Sequence, residues 1–327
     1  MKKEKTLALL ANILTFLFVI PIYLTYLKIS RVGTNEFTSL NDLLAGKADT
    51  PYIYRVLIPQ SAKLFAKIIP PIPHNLFSKS EILQESFLNL NGDILPKEAF
   101  LVLFLTFLAM IGFIYVEKRF LFDLGFSQET QLILPILLLA HGLLFTIRFG
   151  YIYDMPQLFL FTTSLWLLFR RQWKWYLVLF LITTLNKETS ILLTATYAIY
   201  FYKRLSKKEF FKLLFWQLFP FIIIRIILLW VYRDNSGSVI YSNFFIHVEK
   251  YKAFPIFLAI TIFLFVTIFF LVKNKWAKKN DFLRSAIIVP LLILPLYFYG
   301  GIPMEFRVFL EALPILGVLA FNPDILH

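Results

Sequence analysis

Cysteine is absent from all 327 residues of the chain. That absence excludes disulfide scaffolds, thiolate metal sites and thiol redox chemistry. Charge is also scarce. Only 16% of residues are Asp, Glu, Lys or Arg, against about a quarter in a soluble domain. The chain has no glycine-rich phosphate loop, no Gly-x-Ser-x-Gly and no His-Glu-x-x-His, so nothing points to nucleotide hydrolysis, an esterase elbow or a zinc protease. Its four histidines (His74, His141, His247 and His327) lack metal-ligand spacing. Internal repeats and low-complexity linkers are missing too, which makes residues 1–327 one domain.

What the chain has in excess is apolar surface. Hydrophobic residues make up 59% of it, with 38 phenylalanines and a mean hydropathy of +0.71. The predicted fold class is all-α and polytopic in a membrane. A crossing helix takes about 20 apolar residues, and about ten candidate spans follow: 6–27, 99–116, 130–147, 155–169, 175–186, 189–202, 211–232, 253–272, 285–299 and 306–322. The first apolar run is too long for a cleaved signal peptide and lacks a small-residue cleavage site, so it reads as a retained span.

The net charge of +13 is then a topology signal, and no nucleic acid is needed to explain it. With Lys2, Lys3 and Lys5 in the cytoplasm, the same side receives Lys118, Arg119, Arg170, Arg171, Lys174, Lys203, Arg204, Lys207, Lys208, Lys212, Lys273, Lys275, Lys278, Lys279 and Arg284. This is the positive-inside pattern. It predicts a multi-pass membrane protein with its N-terminus in the cytoplasm.

Two segments depart from plain crossings. Residues 28–98 form a long outward loop. Within it Tyr54–Pro73 reads as an interfacial helix with Val56, Leu57, Leu64, Phe65, Ile68 and Ile69 on its apolar face, and Glu81–Leu90 as a second. Residues 174–203 form a hairpin too short for two full crossings, with Asn186, Lys187 and Glu188 recessed at its tip. A competing reading joins 175–202 into one helix and reverses the sidedness of every later loop.

Polar clusters converge on the outward side. Glu36, Asp42, Asp49, Tyr54 and Arg55 lie in the first loop, Arg148, Tyr151, Tyr153 and Asp154 before the fourth span, and Asn186, Lys187 and Glu188 at the hairpin tip. Arg233, Asp234, His247 and Glu249 follow, then Glu305, Arg307 and Glu311. Asp154 is either a helix cap or a carboxylate that accepts a proton as general base. Lys187 needs a partner at that depth, either Glu188 or the phosphate of a ligand. Arg55 suits bidentate phosphate contact or lipid headgroups. Arg225, alone inside the seventh span, is expected to pair with an acid. Arg307 either pairs with Glu311 four residues on or faces the cavity.

The first span, the large outward loop, the run Leu43-Leu44-Ala45-Gly46-Lys47-Ala48-Asp49-Thr50-Pro51-Tyr52-Ile53-Tyr54-Arg55-Val56-Leu57-Ile58-Pro59, the outward Asp154 and the hairpin tip Leu185-Asn186-Lys187-Glu188-Thr189 together resemble the GT-C-type integral membrane glycosyltransferases of bacteria. The resemblance covers the arrangement of residues 1–200. It implies transfer of a sugar from a polyprenyl-phosphate donor to a glycan, lipid or protein acceptor at the outer face. It also implies an acidic base in the first outward loop. Glu36 stands nearest to that position, followed by Asp42 and Asp49, and Asp154 is the remaining candidate. Tyr54, Arg55, Arg148, Tyr153, Asn186, Lys187, Glu188 and Arg307 would hold phosphate or substrate. A phosphate monoester leaves without help from a metal, and neither metal nor cofactor is expected. A transporter or flippase, or a non-catalytic partner in glycan assembly, is the alternative.

Overall fold

The computed structural model describes residues 2–30, 39–70, 96–147, 150–238, 242–303 and 305–321. Glu36, Arg148 and the expected interfacial helix at 81–90 lie outside the described residues. The described chain is helical, with one isolated bridge between Thr50 and Gly237. Helix α1 (Lys2–Ser30) leads to a short α2 (Leu40–Ala45), a 3-10 turn (Tyr52–Tyr54) and α3 (Leu57–Ala66). The bundle continues with α4 (Pro96–Asp123), α5 (Gln128–Thr146), α6 (Asp154–Phe169), α7 (Trp173–Asn186), α8 (Ile191–Phe201) and α9 (Lys207–Val231). It closes with α10 (Phe244–Ala253), α11 (Pro255–Lys273), α12 (Asp281–Ala286), α13 (Ile288–Gly300), a 3-10 helix (Phe306–Ala312) and α14 (Leu313–Ala320).

Local chemistry sets several helix starts. Ser127 accepts the Thr130 amide at the head of α5, and Ser206 accepts the Glu209 amide at the head of α9. In the second case the Ser206 hydroxyl also donates to the Glu209 carboxylate at 2.8 Å, a local exchange that pins the helix start.

Contacts show that successive helices run back and forth. At one end Arg170 meets Asp123, Arg204 meets Asp281, and Phe282 packs against Phe120, Phe169 and Tyr200. At the other end Ser30 bonds Thr146, Tyr26 bonds the Tyr151 carbonyl, and Arg307 reaches Asp154. The 174–203 segment does turn back on itself. Trp173 at the head of α7 packs on Tyr197 and Phe201 at the tail of α8, with ring centroids 6.1 and 5.0 Å apart. Lys187 is extended (φ −161°, ψ 142°), which breaks the helix at the tip. A single helix over 175–202 is therefore excluded.

The apolar runs predict ten crossings, but the described helices support fewer by length. Five stretches are long and apolar enough to cross a membrane: Lys97–Asp123, Gln128–Thr146, Lys207–Val231, Pro255–Lys273 and Asp281–Gly300. Helices α6, α7, α8 and α14 have 16, 14, 11 and 8 residues. At 1.5 Å per residue α7 reaches roughly 21 Å, well short of a hydrocarbon core of about 30 Å. Charged turn and 3-10 segments occupy the rest of the apolar runs, at 186–190 and 305–312, and shorten the helices at one end.

Helix α3 packs on the bundle through its small side chains and leaves the expected apolar face outward. Ile58, Ala62 and Ala66, at intervals of four, are buried, and the helix lies against α4. Leu64, Phe65 and Ile68 stay exposed. Small side chains let the two backbones approach, and the bulky ones are left for the surroundings.

Candidate functional site

The non-basic end of the bundle holds a buried network of charge. Three short segments and two helices build it. Arg55 follows the 3-10 turn at 52–54, Lys187 and Glu188 occupy the α7–α8 tip, Glu305, Arg307 and Glu311 lie on or beside the 3-10 helix at 306–312, and Arg225 reaches in from α9. Asp154 opens α6.

Glu188 is the meeting point of two cations. Arg55 donates through Nη2 to Glu188 Oε1 at 2.7 Å and through Nε to Oε2 at 3.4 Å. Arg225 donates through Nη2 to Oε2 at 2.9 Å. Burial pushes the Glu188 carboxyl up, but Arg55 and then Arg225 outweigh it and hold the group well below the usual carboxylate range. Burial likewise works against the Arg55 charge, and Glu188 and Tyr153 beside it raise its guanidinium above the ordinary value. Despite these clamps, the Glu188 side chain is 38% exposed.

The second half of the network is closed. Lys187 Nζ sits 2.8 Å from Glu311 Oε1, both within 4% of full burial, and Thr189 donates its hydroxyl to the same oxygen. Arg307 bridges Glu305 and Asp154, at 2.5 and 3.4 Å. Asp154 also accepts the Tyr151 amide at 2.9 Å. Lys187 therefore pairs with Glu311 rather than with its neighbour Glu188. Arg307 and Glu311 do not pair with each other, because the segment carrying them is a 3-10 helix and each side chain finds a partner on another element.

Aromatic rings support the two guanidinium groups. Tyr52, Tyr151 and Tyr153 stack in sequence, with centroids 5.4 and 5.3 Å apart. Arg55 lies 4.4 Å from the Tyr153 centroid and Arg307 3.8 Å from that of Tyr151. Arg55 also donates to the Tyr153 hydroxyl. Such stacking favours arginine over lysine and fixes the plane of each fork. Asn186 donates to the Tyr153 carbonyl and to Gln157, which bonds Thr189 in turn. The hairpin tip is thereby tied to α6.

Tyr54, Arg55, Tyr153, Asp154, Asn186, Lys187, Glu188 and Arg307 are thus brought to one end of the bundle. Tyr54 is buried there within the core. Asp42 and Asp49 have other partners. Asp42 accepts from Ser39 at the head of α2, and Asp49 accepts from Ser236. The Asp42 contact is local to the first loop, whereas Asp49 and Asn235, which donates to the Gly46 and Ala48 carbonyls at 2.9 and 3.0 Å, fasten that loop to the turn after α9. That fastening brings Arg55 and Arg225 to the same carboxylate.

Arg225, Glu305, Glu311, Thr189 and Gln157 complete the network; Glu305 and Glu311 belong to the outward polar clusters of the sequence, though no binding or catalytic role was expected of them. For Arg225 the signal was present, a lone charge in an apolar run. Thr189 and Gln157 carry no such signal. Four buried polar atoms in the network (Arg225 Nη1, Arg307 Nε, Glu311 Oε2 and Asn186 Oδ1) have no hydrogen-bond partner. Buried polar groups are normally satisfied, so these atoms mark where a polar ligand or water would be held.

In class, the described chain is an all-helical protein with membrane-length apolar helices and a buried network of charge at one end. Comparison with protein-family models, curated proteins and solved structures returns no match.

Proposed function

We propose that the protein is a membrane glycosyltransferase of the bacterial inner membrane. In this reading its N-terminus is cytoplasmic, the helices run back and forth through the bilayer, and a sugar moves from a polyprenyl-phosphate donor to an acceptor hydroxyl at the outer face. One observation carries the proposal. Four cations and four carboxylates form a buried network at the end of the bundle opposite the basic loops, and Glu188 opens from its edge. Charge inside an apolar bundle is costly and is retained where it meets other charge.

The donor tail lies in lipid along the exposed apolar side of α9, where Ile222 and Ile226 face outward. Its phosphate enters between Arg55 and Arg225. Phosphate oxygens replace the Glu188 carboxylate on the two guanidinium forks. Glu188, freed of its two cations, becomes more basic and takes the proton of the acceptor hydroxyl. The hydroxyl oxygen bonds the anomeric carbon as the bond from that carbon to the phosphate oxygen breaks. The bonding pair leaves with the phosphate monoester, and the guanidinium groups stabilise its added charge. Asp154 and Glu305 hold Arg307 in place behind this exchange. No metal or cofactor enters the scheme.

The test is binding of a short-chain polyprenyl phosphate to the purified protein, read as thermal stabilisation in detergent. Saturable stabilisation that is lost in Arg55→Ala and in Arg225→Ala is the expected result. Absence of stabilisation in the wild-type protein would overturn the reading and favour transport, or a non-catalytic role in glycan assembly. Vesicle flux assays separate those two.

A further inference from the structure

The basic end of the bundle carries an open surface groove that the glycosyl-transfer reading does not use. It has a volume of about 370 Å³ and is lined by Ile199, Arg204, Trp276, Asp281, Arg284 and Ser285. It sits where α8 ends, α9 begins, α11 ends and α12 begins, so all four chains leave the apolar bundle at its level.

Two guanidinium groups share one carboxylate there. Arg204 Nη2 lies 3.0 Å from Asp281 Oδ2, and Arg284 pairs with Oδ1 of the same group. The lining therefore holds one positive charge in excess. Both arginines and Asp281 are a third or more exposed, and each guanidinium keeps further N–H donors beyond those it spends on Asp281. Arg204 is set in advance. Its guanidinium stacks 4.2 Å from the Tyr200 centroid and donates to the Tyr200 carbonyl at 2.9 Å. Tyr200 is held edge-on against Phe282, which packs on Phe120 and Phe169. Ile199 and Trp276 give the same groove an apolar wall. A cationic mouth with an apolar flank, at the level where helices emerge from an apolar slab, matches an amphipathic anion.

We propose that this groove binds the headgroup of an anionic glycerophospholipid, with the phosphodiester on Arg204 and Arg284 and the first acyl carbons against Ile199 and Trp276. The single negative charge of such a headgroup balances the excess charge of the lining. Two guanidinium forks on one phosphate give it directional contact, which exposed lysines would not. The site is independent of the charge network at the other end and stands whatever reaction occurs there.

The test uses the full-length protein in mild detergent, titrated with dihexanoyl phosphatidylglycerol, dihexanoyl phosphatidylcholine or inorganic phosphate while the thermal midpoint is followed. Saturable stabilisation by the anionic lipid is expected, with little response to the other two. Arg204→Gln with Arg284→Gln should weaken it by about tenfold or more. Ser285→Trp, which fills the groove and leaves every charge in place, should weaken it as well. The pair Lys207→Gln and Lys208→Gln, removing equal charge from the same face, should leave it unchanged. An equal response to phosphatidylcholine, an equal loss in the lysine pair, or full binding by Ser285→Trp would overturn the proposal. Saturation by inorganic phosphate alone would reassign the groove to a free anion.

Discussion

Glu188 carries opposed demands within one side chain, since two arginines clamp it and its carboxylate still reaches the outside. Because its carboxyl lies below the ordinary range in the folded state, its contribution to stability is complete above the unfolded carboxyl value of about 4.3 and is lost as pH falls from there through the lowered folded value. The thermal midpoint of the wild type relative to Glu188→Gln should therefore stay constant from neutral pH to about pH 5 and narrow only in stronger acid. A gap that already closes between pH 7 and 5 would contradict the two-arginine clamp. Lys187 and Glu311 pose a different case, a pair closed from solvent. Lys187→Met leaves Glu311 buried with only Thr189 beside it and should cost about 3–5 kcal/mol, whereas Lys187→Met with Glu311→Leu should cost much less than the sum of the single changes. Equilibrium unfolding in detergent of both singles and the double measures the coupling, and simple additivity would show that the pair does not interact.

Two contacts between elements decide how the ends of the bundle close. Lys279 donates to the Leu271 and Val272 carbonyls at 3.3 and 2.6 Å and to that of Leu319. One ammonium thus caps the ends of α11 and α14 together and satisfies carbonyls that a helix end leaves open. Lys279→Met should lower stability by about 1–3 kcal/mol, while Lys279→Arg should recover part of the loss. An unchanged unfolding midpoint in Lys279→Met would show that water serves those carbonyls equally well. At the opposite end, a Cβ on Gly150 would stand 2.4 Å from Ser30 Cβ and 3.4 Å from its Cα. The tail of α1 and the turn before α6 therefore meet backbone to backbone. Gly150→Ala should destabilise by about 1–3 kcal/mol through overpacking, and Ser30→Gly should relieve it. The turn before α6 carries Tyr151, Tyr153 and Asp154, so a shift there disturbs the network before it unfolds the protein.

At the scale of the whole molecule, the lack of cysteine makes sidedness directly measurable, because a single introduced thiol has no background. Lys47→Cys and Lys208→Cys replace exposed residues at opposite ends of the bundle. A membrane-impermeant maleimide should label position 47 in intact spheroplasts and position 208 only after permeabilisation. Labelling of both from the same side would contradict alternate traversal by the short helices.

The sequence by itself determined the all-helical class, the approximate limits of most of the long apolar helices, the segregation of basic loops to one end and the gathering of polar residues at the other. Those properties follow from apolar run length, helix-breaking turns and loop charge, which are local and additive. The pairing of the charges was decided by tertiary structure. Lys187 is adjacent to Glu188 in sequence yet bonds Glu311, and Arg307 is one helical turn from Glu311 yet bonds Asp154 and Glu305. Arg225 was legible as a buried cation in need of an acid, but not as the second clamp on Glu188, because that contact depends on how α9 is fastened to the first loop through Asn235 and Ser236. The number of membrane-length helices was likewise a property of the fold, since the same apolar residues form either a long helix or a shorter one ending in a polar turn. Charge pairing inside a bundle is settled by which side chains the packing brings within a few ångströms, and that distance is not written in the spacing of residues along the chain.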